Sequence, residues 1–135
     1  MGGIGFWKDI FRGKGGDRQS ASCAQQALWE QVQRCMEEDR PWRTPGFTLD
    51  GLSRAVHSNR TTLSRLFRSH GTSFLEDVSL RRVRFVTDRL EKEPSAPLTP
   101  LFYEAGFGSY VAGWRHFKRI TGLTPKAYVQ QEYGE

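Results

Sequence analysis

One stretch of this chain is written twice, and any fold for it has to build the same unit two times over. Thr48–Gly71 returns in the same register fifty residues later. Ala55 is matched by Ala105, Asn59 by Ser109, Arg65 by Arg115, Phe67 by Phe117 and Arg68 by Lys118. The closing glycines, Gly71 and Gly122, are offset by one further residue. Two copies are too few for a solenoid, which needs at least about three to bury its core. They suit a tandem pair of small helical units.

The first copy reads as two short helices with a tight bend. Leu52, Ala55 and Val56 fall on one face at helical spacing, with Ala55 small enough for close approach, and Leu63, Leu66 and Phe67 fall on a second. Between them His57-Ser58-Asn59 holds no apolar residue, and Asn59 is a good N-cap for a helix starting at Arg60. Gly71 is a helix stop. This is the layout of a helix-turn-helix, whose second helix enters a DNA major groove. Its outward positions are Arg60, Thr61, Ser64, Arg65 and Arg68. From Gly51 to Leu75 there are four arginines and no acid; from Ala105 to Gln131 there is again no acid, beside Arg115, Lys118, Arg119 and Lys126.

Composition agrees. A net charge of +5 and a pI near 9.6 suit an anionic partner. The distribution says more, because the acids gather at Glu37–Asp39, Glu76–Asp77 and Asp88–Glu93, outside both reading helices. The length of 135 residues suits one domain, or one domain with a tail. Cys23 and Cys35 match neither Cys-x-x-Cys nor a zinc pattern, so reduced thiols in an intracellular protein are expected. No apolar run approaches the roughly 18 residues of a membrane span, and no secretory segment is present. A cytoplasmic, nucleoid-associated location is the expectation.

In chain order, Met1–Ala21 is Gly-rich and basic and reads as a flexible tail. Phe6, Trp7, Ile10 and Phe11 beside Lys8 and Arg12 give it a second reading, as a membrane-proximal segment. Ser22–Arg40 is predicted as a bracing helix through Ala27, Leu28, Val32, Cys35 and Met36, with Trp29 beside them. Pro41–Phe47 is a connection. Ser73 and Glu76 have capping-box spacing, and a helix of about 20 residues should run from there to Leu90 or Glu93, spanning roughly 30 Å. Phe74, Val78, Val86 and Leu90 form its stripe. Arg82 shares that stripe, either buried beside a carboxylate or reaching to solvent at its edge. Thr99-Pro100 is predicted to start the next helix, Gly106-Phe107-Gly108 to bend, Ser109 to cap the second reading helix, and Thr124-Pro125 to open a terminal helix over Lys126–Gln131.

The motifs N-R-T-T-L-S-R-L-F-R-x-x-G at Asn59–Gly71, A-G-F-G-S-Y at Ala105–Tyr110 and R-H-F-K-R-I-T-G-L-T-P-K-A-Y at Arg115–Tyr128 resemble the DNA-binding domain of the AraC/XylS family of bacterial transcription regulators. The resemblance covers about Leu49 to Tyr128. It implies an all-α, homeodomain-like fold over residues 22–135: a helix-turn-helix at about 48–71, a linking helix at about 73–93 and a second helix-turn-helix at about 98–122. It implies double-stranded DNA as partner, with RNA polymerase as a further one, and neither cofactor, metal nor small-molecule site. Carried over by position, base reading falls to Thr61, Ser64 and Arg65 in the first unit, and to Tyr110, Val111, Trp114 and Arg115 in the second. Phosphate contacts fall to Arg60, Arg68 and Lys118.

Two positions depart from the family pattern. Val129 stands where an Arg is usual. Gly113 stands where a core Phe or Leu is usual, and where the first copy has Leu63. A helical Gly costs about 1 kcal/mol and a missing core aromatic about 3–5 more. The second unit is therefore expected to be the looser one: either Trp114 turns inward to fill the gap, or the gap stays open and Gly113→Leu raises the melting temperature. Members of the family commonly carry a sensing region as well, so two organisations are open: a short regulator set by its abundance, or the C-terminal part of a longer protein.

Other function classes fit less well. An interaction module that kept the fold but lost DNA reading is favoured by Gly113 and opposed by the acid-free helices. RNA binding has only scattered aromatics behind it. For an enzyme there is no nucleophile motif or phosphate loop. His57, His70 and His116 show no metal-ligand spacing, and the first two, flanking the reading helix, are expected at phosphate or in solvent.

Overall fold

The computed structural model describes residues 23–134, which form seven α-helices and no strand. The tail with its aromatic cluster lies outside the described residues. Helix α1, Cys23–Arg34, widens into a π-helical turn at Cys35–Asp39, which a tighter 3-10 turn follows at Pro41–Arg43. Arg40 makes the corner between them at φ 52°. The first unit is α2, Leu49–Ala55, and α3, Arg60–Ser69. The linker is α4, Phe74–Lys92, whose 19 residues span roughly 28 Å. The second unit is α5, Leu98–Ala105, and α6, Tyr110–Thr121, followed by α7, Pro125–Tyr133.

The helix starts follow from capping. Thr48 Oγ1 accepts from the Gly51 N–H at 3.1 Å and Asn59 Oδ1 from Thr62 N–H at 2.8 Å. Ser73 Oγ accepts from Glu76 N–H at 3.1 Å, Ser109 Oγ from Ala112 N–H at 3.1 Å, and Thr124 Oγ1 from Ala127 N–H at 3.1 Å. Each satisfies a backbone donor that the first turn leaves without an intrahelical partner. Helix α5 differs from expectation: it begins at Leu98 after Pro97, with no side-chain cap, so Thr99-Pro100 sits inside its first turn.

A single core runs through both units. Leu52, Leu63, Leu66 and Phe67 continue into Phe74, Val78, Val83, Val86 and Leu90 of α4, then into Leu101, Phe102, Phe107 and Phe117. Phe67 meets Phe74 edge-on at 6.1 Å. Helix α1 is the expected brace: Trp29 packs edge-on against Phe67 at 5.4 Å and stacks on His70 at 3.8 Å. His70 is thereby 4% exposed, not at phosphate or in solvent. Ala55 is exposed although its counterpart Ala105 is buried, and Ala27 is exposed too. At Ala55 the helix is already ending, and the chain turns away through Val56 and His57 at φ 56°.

Arg82 follows neither expected course. It is half-buried, and its partners are backbone carbonyls: Nε donates to Trp42 O at 2.7 Å and Nη2 to Thr44 O at 3.2 Å. The buried guanidinium is its neighbour Arg81, 5% exposed, which donates to Asp77 at 2.9 Å, to Gln33 at 2.7 Å and to Glu37. Burial raises the Asp77 pKa while Arg81 opposes the rise. Gly106 completes this junction. At φ 109° it suits glycine alone, and a Cβ there would strike Trp42 O and lie 2.8 Å from Arg82 Nε.

At Gly113 there is no gap. A Cβ would lie 2.5 Å from Phe102 Cγ and 2.8 Å from both Cδ atoms, so Phe102 already fills the space. Phe102 is the counterpart of Leu52, and Gly113 of Leu63, at the same fifty-residue offset. The first unit packs Leu on Leu; the second packs Phe on Gly. The larger ring at 102 thus takes up much of the space that the missing side chain at 113 leaves. Trp114 is half-buried against the core but is not what closes the site. The expectation of a loosened second unit is corrected accordingly. Gly113→Leu should lower the melting temperature, with a cost of about 1–3 kcal/mol from overpacking. Adding Phe102→Leu should recover much of it, with a coupling of about 0.5–3 kcal/mol. Thermal unfolding of the two single variants and the double variant measures this; additive losses would mean the two positions do not share one space.

Candidate nucleic-acid interface

Helix α3 buries Leu63, Leu66 and Phe67 and thereby turns its remaining positions outward. Arg60, Thr61, Ser64, Arg65 and Arg68 are all exposed, and together with Leu49 they line one shallow open hollow. The structure thus brings together all five outward residues expected of this helix. It also places an acid beside them. Asp50 Oδ1 lies 3.4 Å from Arg60 Nε, with both side chains more than half exposed. Such a pair contributes little stability in water, but it answers part of the charge that Arg60 presents. Asp50 lies one residue outside the acid-free window. Sequence alone could not pair it with Arg60, because that contact depends on how α2 crosses α3.

Helix α6 buries Gly113 and Phe117 and turns Tyr110, Val111, Arg115 and Lys118 outward. Trp114 lies at the border. One side of it packs against the core, and Lys118 Nζ stands 5.5 Å from its ring centroid, a cation–π contact. Tyr110 leans on Phe102, with ring centroids 5.4 Å apart, and remains 39% exposed; Val111 is 56% exposed. Arg119, by contrast, is turned back to the fold, with Nη1 donating to Glu76 Oε1 at 3.0 Å.

Polar pins fix the seat of α6 on α4. Ser79 Oγ lies 3.0 Å from His116 Nδ1, and Arg119 Nη2 lies 3.4 Å from the same nitrogen. A guanidinium can only donate, so Nδ1 accepts and the imidazole is unprotonated there. The ring stacks on Phe107 at 5.4 Å. Burial first, then Arg119 and Arg82, hold the His116 pKa below its ordinary value against the pull of Glu76. A His with a depressed folded pKa leaves the unfolded chain binding more protons. Stability from His116 is therefore complete above the ordinary value near 6.5 and is lost as pH falls below it. Melting temperatures of wild type and His116→Gln measured between pH 7.5 and 5.5 should converge towards acid. Parallel curves would show that His116 takes no part in the pH response.

Among the described residues no group of three or more His, Cys, Asp or Glu side chains could hold a metal ion, and no helix is long and apolar enough to cross a membrane. A family model described as a helix-turn-helix domain matches residues 52–131, more than half of the chain. The match opens within α2 and closes within α7, so it takes in α3, α6 and the linker; α1 and its turns stand outside it. No curated protein and no solved structure matches the chain. The matched family is one of DNA-binding domains of AraC type, not of enzymes. With two capped helices turning basic faces outward from one core, and with this match across both, the chain belongs to the helix-turn-helix domain family and is a DNA-binding regulator of AraC type.

Proposed function

We propose that this chain regulates transcription by reading two successive major-groove segments of double-stranded DNA, one with α3 and one with α6. The observation that carries the reading is the pair of outward faces, Arg60-Thr61-Ser64-Arg65-Arg68 and Tyr110-Val111-Arg115-Lys118, on helices held by the same cap at the same repeat position. Each N-cap orients its helix so that the first turns present side chains beyond the body of the fold. The linking helix, at roughly 28 Å, is close to the 34–36 Å that separates groove segments one turn apart.

Within this reading, Thr61, Ser64 and Arg65 take base edges in the first segment, and Tyr110, Val111, Trp114 and Arg115 in the second. Arg60, Arg68 and Lys118 take phosphate. Arg60 would exchange Asp50 for a phosphate oxygen, a small change because both partners are solvated. Lys118 would reach phosphate from above Trp114, which leaves Trp114 the least accessible of the base readers.

Selection of binding sites from a random-sequence duplex library tests the proposal: a defined, asymmetric site is expected, and the absence of any enriched sequence would reject it. Two variants separate the roles. Arg65→Ala should flatten preference at one or two base pairs, losing about 1–3 kcal/mol of discrimination. Arg68→Ala and Lys118→Ala should weaken selected and random duplexes alike and reduce the salt slope by about 1 each. A uniform loss for Arg65→Ala, or an unchanged slope for the other two, would reverse the assignment.

A further inference from the structure

Large apolar side chains are rarely left in solvent in adjacent positions without a use. Among the described residues four are exposed: Leu75, Tyr103, Tyr110 and Val111. The last two are neighbours and form the first turn of α6. The fold does not ask for them. At the same two positions of the first copy stand Arg60 and Thr61, also exposed, on a helix capped in the same way. So the site is occupied in one unit by a cation and a hydroxyl, and in the other by a ring and a branched alkyl group. Val111 and Thr61 are nearly the same shape, which makes the exchange one of chemistry: a hydroxyl that can bond a base edge against a second methyl that cannot. No acid or base stands in the first turn of α6 to replace what is lost.

In the major groove only one base edge offers an apolar contact, the C5-methyl of thymine. We infer that α6 reads thymine methyl groups, with Val111 as the methyl contact and Tyr110 as the apolar wall beside it, so that the second box is thymine-containing and is recognised by shape and desolvation. The inference rests on the two-segment reading above and names what the second segment must contain. Its two contact residues differ in freedom. Tyr110 is held by Phe102, with ring centroids 5.4 Å apart, so its position follows from the Phe102–Gly113 packing. Val111 is more than half exposed, more so than Tyr110, so its γ-methyls are open to a groove that covers this turn.

The test removes the methyl group alone. The full chain is given the duplex enriched from the random library, and the two boxes are told apart by Arg65→Ala, which flattens the one read by α3. Thymines of the other box are then replaced by deoxyuridine, which keeps every hydrogen-bonding group. Affinity of the wild-type chain should fall about fourfold for each contacted methyl, the equivalent of one buried carbon, while deoxyuridine in random duplex should change nothing. Val111→Ser should bind the thymine and deoxyuridine duplexes equally. As an exposed substitution it should leave the melting temperature in place, and the wild-type comparison stands without it. An enriched second box without thymine, or undiminished binding to deoxyuridine, overturns the inference while leaving the two-segment reading intact. Absence of any enriched duplex overturns both.

Discussion

The linking helix has no solvent side wide enough to let either unit go. Eleven of the nineteen residues of α4 are buried, and they do not lie on one stripe: Phe74 faces Phe67 of the first unit, while Ser79 meets the second unit and Phe85 the 3-10 turn. A helix with buried residues on so much of its surface is enclosed from several sides. Neither helix-turn-helix alone could enclose it, and neither has a core large enough to stand by itself. The shared helix therefore converts two short motifs into one body, and it fixes the relation between their reading helices. The polar contacts around it are arranged to the same end. Arg81 ties α4 to the π turn, Arg82 ties it to the carbonyls of the 3-10 turn, and Ser79 ties it to α6.

That enclosure explains which parts of the structure could be seen in the sequence. Caps and stops are local chemistry, so Asn59, Ser73, Ser109 and Thr124 were legible as helix starts, as was the length of α4. The burial of α4 was not, because an apolar stripe marks one face of a helix that is covered from more than one side. The stripe draws attention to Arg82, whereas Arg81, one residue earlier and about 100° round the helix, is the enclosed one. The Gly113 position fails for a related reason. The repeat compares one residue with one residue, but packing compares pairs. Leu63 becoming Gly113 looks like a lost side chain until Leu52 becoming Phe102 is set beside it. Both changes stood at the same offset in the sequence; only contact makes them one change. His70 escaped because its cover, Trp29, comes from a helix outside the repeat.

The outward faces of α3 and α6 were more legible than the core, since outward positions on a short helix follow from the inward ones. What the sequence did not carry was the traffic between charges. Asp50 reaches Arg60 across the turn between α2 and α3, and Glu76 draws Arg119 back towards α4. The net positive charge is thus not shared evenly between α3 and α6. Helix α3 offers a cationic, hydroxyl-bearing face, while α6 offers an apolar first turn followed by Arg115 and Lys118. The two units of one chain are the same scaffold set to different chemistry.

Because one helix fixes the spacing, a single chain should demand that its two boxes lie on the same face of the duplex, about 10 base pairs apart centre to centre. The most direct test is the affinity of the chain for the selected duplex before and after five base pairs are inserted between the boxes. The rotation carries the second box to the opposite face, so binding should fall towards that of a duplex holding the first box alone. Undiminished binding after the insertion, or a strictly palindromic selected site, would contradict a rigid tandem reader.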